Sequence, residues 1–438
     1  MIHKFKGKSA RAIAASVEKA VHSGALHAGE PLPTIRELAA ALRVSPVTVA
    51  AAYRQLQTRG LVSGDRRRGS RIRPNPPSPL NPAPVAGVAE GLVDLATGNP
   101  DPALLPALDG AFRALDPSPR LYGDGLELRA LVAFARSEFA ADGIPASHVA
   151  VTSGALDAID RILREHLRPG DRVAVEDPAL PAILDLLAAC GLDAEPVPLD
   201  RAGCDPASLA AVAPHVRAAI LTPRAQNPTG AAWEAARAEE LRRVLRKHRD
   251  SLVVIENDAT GPVSGSPSAT VCDGLTRWAV VRSVSKFLGP DLRVALVAGD
   301  ELTIARVRGR QALGARWVSH LLQQLVLTLW SDPASARRLA RAADVYTQRR
   351  LALAAALASH GVAINAPSGF NAWIPVREES ATVQALAQRG WAVAAGERFR
   401  QRSAPAIRVT TSALAAEDAP GLAADIAACL RPSASVQA

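Results

Sequence analysis

The sequence predicts an α/β protein: a body on a mostly parallel β-sheet with a smaller C-terminal α+β part, preceded by a helix-turn-helix head. Three observations carry this. From Leu92 onward, short apolar runs alternate with helical patterns, as strands joined through helices do. The formal net charge of +9 is concentrated at one end: residues 1–74 hold 14 Lys and Arg against 4 Asp and Glu, and the rest holds 37 against 38. Between these parts, prolines at 74, 76, 77, 79, 82 and 84 exclude helix and central strand and favour polyproline II. At 438 residues the chain is too long for one ordinary core. The expected domains are residues 1–74, a linker over 75–91 that spans roughly 50 Å if extended, and residues 92–438.

In the head, Ile13, Val17, Ala20, Val21 and Ala25 recur at helical spacing within Ser9–Leu26. Thr34 followed by Glu37 is a capping-box pattern, so a second helix starts there and turns Leu38, Ala41 and Leu42 inward. Ser45-Pro46 reads as an N-cap followed by proline at the first helical position. The third helix buries Val49, Tyr53 and Leu56. Two short helices joined by a tight turn form the unit whose second helix enters a DNA major groove. Leu61-Val62 and Ser70–Arg73 pair as a hairpin with Arg66, Arg67 and Arg68 at its tip, a wing that sets cations beside phosphates. Arg36, Ser45, Pro46, Thr48 and Arg71 are further candidates for contact with DNA. A basic head on a neutral body suits a polyanion partner.

Leu32-Pro33-Thr34-Ile35-Arg36-Glu37-Leu38-Ala39, Val44-Ser45-Pro46-Val47-Thr48-Val49 and Ala52-Tyr53, continued by Gly60-Leu61 and Gly69-Ser70, resemble the GntR-type winged helix. The resemblance covers residues 8–74 and implies binding of double-stranded operator DNA.

In the body, strands are expected at Val149–Thr152, Arg172–Glu176, Ala218–Leu221, Leu252–Ile255, Trp278–Val281 and Arg293–Ala298. Helices are expected at Ala155–His166, Pro181–Ala189 and Glu234–Lys247. In such folds ligands sit at the carboxyl ends of strands, where four motifs fall. Thr152-Ser153-Gly154-Ala155 opens a helix whose first amides suit a phosphate. Thr222–Gly230 contains Asn227-Pro228-Thr229-Gly230, a turn that offers an amide. Val253–Asp258 ends in Glu256-Asn257-Asp258, where a buried carboxylate suits a protonated pyridine nitrogen. Ser283-Val284-Ser285-Lys286 closes the fourth. A lysine at the lip of a buried strand loses solvation, which lowers its pKa and leaves a nucleophilic amine fit for a Schiff base. Alone, Lys286 reads equally well as a surface lysine in a loop. Hydroxyls before it and Arg293 after it favour pyridoxal 5'-phosphate (PLP), which needs an imine and a phosphate anchor together.

Together these segments resemble fold-type I PLP enzymes, in particular class I/II aminotransferases, over about residues 92–432. The resemblance implies that Lys286 forms the Schiff base and that Ser153, Gly154, Ala155, Ser283, Ser285 and Arg293 surround the phosphate. It further implies that Asn227 contacts the ring hydroxyl, Tyr122 reaches a neighbouring subunit's phosphate, and Arg408 binds a substrate or effector carboxylate. Three positions depart from the family pattern. Asn257 stands where the pyridine partner is usually acidic, and Asp258 takes over if the strand end shifts by one residue, the alternative preferred here. Ala259 replaces a ring-hydroxyl donor. Leu180 replaces a stacking aromatic. These changes weaken electron-sink chemistry more than imine formation.

A GntR-like head on an aminotransferase-like body resembles the MocR subfamily of regulators. That implies a head-to-tail homodimer whose body binds PLP, senses PLP or a small amine or amino-acid effector, and switches transcription with little or no turnover. The alternatives are an aminotransferase with an accessory DNA-binding domain and a regulator whose PLP-free body only dimerises.

The four cysteines are far apart, with no Cys/His cluster, which argues against a disulfide framework or a metal site and suits a reducing cytoplasm. No run is long enough for a membrane span, and the basic N-terminus lacks the apolar core of a signal peptide.

Overall fold

A computed structural model describes residues 5–22, 25–27, 29–58, 61–65, 69–72 and 88–430. The chain divides into two compact units, the first of which contains the N-terminal residues. There α1 (Ala10–His22), α2 (Ile35–Leu42) and α3 (Pro46–Thr58) precede a hairpin of β1 (Val62–Asp65) and β2 (Gly69–Ile72). The predicted capping box is formed: Glu37 N donates to Thr34 Oγ1 at 3.2 Å and Thr34 N to Glu37 Oε2 at 2.9 Å. Arg43 in a left-handed conformation ends α2 (φ 53°). Ser45 Oγ caps α3 by accepting from Thr48 N at 3.1 Å. Ile13, Val17, Leu38, Val49, Tyr53 and Leu56 are buried in one cluster, and the Tyr53 hydroxyl donates to Pro33 O at 2.8 Å. The hairpin's last pair is Asp65 with Gly69. Arg66, Arg67 and Arg68 at its tip, and most of the expected linker, lie outside the described residues.

The body begins with β3 (Val93–Leu95), α4 (Asp109–Arg113) and α5 (Arg129–Ala141). Then come β4 (His148–Thr152), α6 (Ala155–His166), β5 (Arg172–Asp177), α7 (Pro181–Ala189), β6 (Asp193–Asp200), β7 (Gly203–Cys204) and α8 (Pro206–Val212). They are followed by β8 (Ala218–Leu221), α9 (Ala235–Arg246), β9 (Val253–Asp258), β10 (Trp278–Ser283), β11 (Ala295–Gly299), α10 (Glu301–Ala312), α11 (His320–Ser331) and α12 (Pro333–Ser359). The chain closes with β12 (Asn371–Pro375), α13 (Glu379–Ala387), β13 (Trp391–Ala395), β14 (Ala406–Thr410) and α14 (Ala419–Leu430).

The large sheet has the order β4-β11-β10-β9-β8-β5-β6-β7. Strands β8, β9 and β10 run parallel, whereas β11 is antiparallel to both β10 and β4. Strands β8 to β11 are buried along their whole length, which is why they read as apolar runs rather than alternating ones, broken only where polar and charged residues enter at the ends of β9 and β10. Strand β11 starts two residues later than expected because Arg293 is left-handed (φ 48°) after a turn at Pro290–Leu292. A second sheet, β12-β14-β13-β3, packs with α14 around Leu95, Ile374, Ile407, Leu422 and Ile426. Helix α12 serves both cores: Leu339, Ala342 and Tyr346 belong to the larger, Leu353 and Leu357 to the smaller.

Among the described residues no helix is long and apolar enough to cross a membrane, and no cluster of His, Cys, Asp and Glu fits a metal ion. The four cysteines form no disulfide.

Candidate functional site

Lys286 follows the carboxyl end of β10. Its Nζ donates to Gly98 O at 2.6 Å and lies 5.9 Å from the centre of the Phe370 ring. Burial, with the Arg408 cation as a second cause, lowers its pKa to about 8. A substantial fraction is therefore a neutral amine near pH 8. The lysine stands just past a strand that is buried along its whole length and is itself half-buried.

Gly154, after the end of β4, and Arg293, before the start of β11, make a cradle. A Cβ on Gly154 would lie 2.9 Å from Arg293 Nη2, so the guanidinium rests against the bare α-carbon and would have to shift to admit a side chain. Gly154 also has φ +102°, a conformation side chains disfavour. Ser283 Oγ bonds Ser285 Oγ at 3.1 Å and accepts from Ser285 N at 3.2 Å. Ser153 and Ala155 flank Gly154, but the Ser153 amide donates to Asp157 Oδ2 at 3.0 Å.

Asn227 and Arg408 meet: Arg408 Nη1 donates to Asn227 Oδ1 at 3.2 Å, and Nη2 donates to Ala96 O. The guanidinium lies 4.8 Å from the Phe399 ring centre. Its Nε is buried without a hydrogen-bond partner. Burial pushes its pKa down to about 10, against the pull of the Asp94 carboxylate. A buried, incompletely satisfied guanidinium is suited to a carboxylate.

Asp258, preferred from sequence as the pyridine partner, is engaged by two arginines instead. Arg224 Nε and Nη2 reach its two carboxylate oxygens, each at 2.9 Å, and Arg282 Nε reaches Oδ2 at 2.7 Å. Asp142 completes the network, 2.5 Å from Arg282 and 3.2 Å from Arg224. Burial alone would raise the Asp258 pKa, but the two guanidiniums outweigh it and hold it well below the carboxylate range. Adjacent strand residues face opposite ways. Asp258 pairs with Arg282 across β9 and β10, and Asn257 with Val281, so Asn257 shares its sheet face with Ser283. Asn257 is buried, and its Oδ1 has no hydrogen-bond partner. The sequence contained Arg224 and Arg282, but nothing in their spacing announced that they converge on one acid.

Asp177 ties the sheet to the smaller lobe. Its carboxylate accepts from the amides of Gln401, Arg402 and Ser403 and from Ser403 Oγ, at 2.7–3.0 Å. Leu180, three residues on, is half-buried. Tyr122 is 80% exposed, with Arg316 5.2 Å above its ring and Trp317 edge-on at 5.8 Å. In the head, Arg36, Ser45, Pro46 and Arg71 are exposed and Thr48 is half-buried. Ser45 Oγ and Thr48 Oγ1 bond each other at 2.8 Å, and Arg71 Nη1 donates to Gly29 O at 3.2 Å.

Two family profiles match. Residues 9–72 match bacterial regulatory proteins of the gntR family, and residues 90–426 match aminotransferase class I and II. The chain therefore belongs to the MocR-type regulators of the GntR family, which join these two parts. It is 43% identical over 432 residues, 96% of this chain and 98% of the relative, to the vitamin B6 salvage pathway transcriptional repressor PtsJ of Salmonella typhimurium. It is also similar to the pyridoxine biosynthesis regulator PdxR of Corynebacterium glutamicum (30% identity, 55% of this chain, 54% of the relative). Among solved structures it is similar to the kynurenine aminotransferase of Pyrococcus horikoshii, with TM-score 0.71 and 21% identity over 78% of this chain and 91% of that one. That likeness concerns the fold.

Proposed function

We propose that this chain is a cytoplasmic transcriptional regulator whose head binds operator DNA and whose body binds PLP covalently through Lys286 as a sensor. The observation that carries the reading is Lys286 just past the end of β10, with Gly154 and Arg293 meeting at the ends of β4 and β11, the next two strands of the sheet, in a chain that also has a gntR-type head. When bound, PLP supplies an aldehyde for amines and, if its ring nitrogen is protonated, an electron sink. The residues fit the first role better than the second. Lys286 provides the amine. Arg293, Ser283, Ser285, Ser153, Gly154 and Ala155 surround the phosphate. Asn227 bonds the ring hydroxyl. Asn257, with its buried unpartnered oxygen, faces the ring nitrogen, where an amide cannot hold a proton as a carboxylate does. Asp258 is removed from that task by its two arginines.

Arg408 receives the carboxylate of an amino-acid effector, whose amine competes with Lys286 for the aldehyde. Exposed Tyr122 reaches the phosphate site of a second copy in a head-to-tail homodimer. Arg36, Ser45, Pro46, Thr48, Arg71 and the wing arginines contact DNA. A relative named as a vitamin B6 salvage repressor, alike over nearly its whole length, supports a B6-linked effector.

The test is visible absorbance of purified protein titrated with PLP, for wild type and Lys286→Ala, alongside DNA affinity with and without PLP. A Lys286-dependent band and a PLP-dependent affinity are expected. Absence of both would leave a body that only dimerises. Steady conversion of an amino acid and a 2-oxo acid would make the chain an aminotransferase.

A further inference from the structure

The segment Ala96–Asp101 joins the site to the route toward the head. It follows β3, the first strand after the linker, and two of its carbonyls are held by two of the site's cations. Arg408 Nη2 donates to Ala96 O, and Lys286 Nζ donates to Gly98 O at 2.6 Å. Its far end is held by groups outside the site: Ser412 Oγ donates to Asn99 O at 2.5 Å, Asp101 N donates to Tyr346 OH at 3.0 Å, and Arg349 pairs with Asp101 at 2.8 Å. Its near end turns on Asp94, whose Oδ1 accepts from Ala96 N at 2.9 Å and Thr97 N at 3.0 Å. Beyond Asp94, β3 is a three-residue edge strand paired only to β13 in its sheet. The segment is thus pinned at its distal end and held in its middle by ligand-binding cations. On its linker side it depends on a short edge strand.

We propose that Ala96–Asp101 is the relay by which occupancy of the site reaches the linker. This rests on the covalent PLP reading above. Condensation of the Lys286 amine with the aldehyde makes one C=N bond and releases water, so the nitrogen keeps at most one N–H. A nitrogen so bound would no longer hold Gly98 O as the free ammonium does. A carboxylate bound by both terminal nitrogens of Arg408 competes with Ala96 O in the same way. An amino-acid effector that takes the aldehyde from Lys286 returns the amine, and with it the Gly98 bond, while engaging Arg408. PLP alone and PLP with an amino acid therefore release different carbonyls. Each charged hydrogen bond shifts an opening equilibrium by about tenfold to a hundredfold, and a ligand moves the equilibrium only through such differential contacts. Released in the middle, the segment frees β3 to shift against β13 and changes where the linker begins.

Hydrogen exchange of the full-length protein across residues 93–101 tests this. Exchange there should rise about tenfold on adding PLP to wild type. Lys286→Ala without PLP should show the same raised exchange, because it too lacks the donor. Equal, low exchange in all three states would overturn the relay. A second variant, Gly98→Ala, places a Cβ about 3.3 Å from Arg408 Nη1 at φ +73° and displaces the segment without removing Lys286. It should keep the Lys286-dependent absorbance, while affinity for a duplex selected from a random library no longer responds to PLP. Retained absorbance with a wild-type DNA response would overturn the relay and leave the sensor reading standing. Loss of absorbance in wild type itself would instead overturn the sensor reading.

Discussion

Replacing Asp258 by asparagine separates its structural role from the cofactor role that the sequence suggested. The substitution keeps the side-chain volume and removes the charge that two buried guanidiniums share. Asp258 is 1% exposed and the side chains of Arg224 and Arg282 are 5% and 3% exposed, so water cannot replace it. Breaking a buried pair from one side costs about 3–5 kcal/mol. Asp142 remains within 3.2 Å of both arginines, which places the loss at the lower end, about 3 kcal/mol. At roughly 2–4 °C per kcal/mol for a domain somewhat smaller than this body, the melting temperature should fall by about 5–10 °C. The assay is thermal unfolding of PLP-free and PLP-saturated protein. Both should fall by the same amount, because the network does not touch the ring. A PLP-free protein of unchanged stability whose PLP affinity alone collapses would refute the network and restore Asp258 as the pyridine partner.

Four further outcomes are expected. The rate of Lys286-dependent absorbance on mixing with PLP should rise about tenfold from pH 7 to pH 9, as a pKa of about 8 dictates, where an ordinary lysine near 10.4 would give about a hundredfold; a stopped-flow pH series decides it. Asn257→Asp should raise single-turnover amino-group transfer from an amino acid to PLP on the order of a hundredfold, and an unchanged rate would place Asn257 away from the ring nitrogen. Burial raises the Glu176 pKa from 4.5 to about 7, against bonds from Thr222 and Gln226. The folded state therefore holds a proton that the unfolded chain releases, and stability declines as pH rises from 4.5 to about 7; denaturant melts of Glu176→Gln should lack that decline. Replacing Arg66, Arg67 and Arg68 by alanine should reduce the slope of log affinity against log salt by about 2.7 if each meets one phosphate, and an unchanged slope would remove the wing from the interface.

Local chemistry made much of this fold readable. The capping box at Thr34 and Glu37 and the Ser45-Pro46 start are encoded within a few residues, and both formed as read. Lys286 stood out only in company, since it shares with three other motifs a place at or near the carboxyl end of an apolar run. Strands β6 and β7 were missed because Asp193–Asp200 carries charges and two prolines at a sheet edge, where burial no longer enforces an apolar pattern. The choice between Asn257 and Asp258 was beyond a linear reading. It depends on which sheet face meets Arg224, 34 positions away, and Arg282, 24 positions away, and a one-residue change of register reverses it. The carbonyl of Gly98 carried no signal at all, since backbone acceptors have no side-chain code.

The clasp at Asp177 limits how the body can open. Four donors from one short stretch converge on a single carboxylate at the end of β5, so that corner comes apart all at once or stays shut. Helix α12 runs unbroken through both cores and resists bending between them. With one corner latched and one helix shared, the smaller lobe is fastened to the large sheet's core at two separate places. Its edge strand β3 is held on one side only, through β13. The strand through which the body continues toward the DNA-binding head is thus a short edge strand remote in sequence from both fastenings.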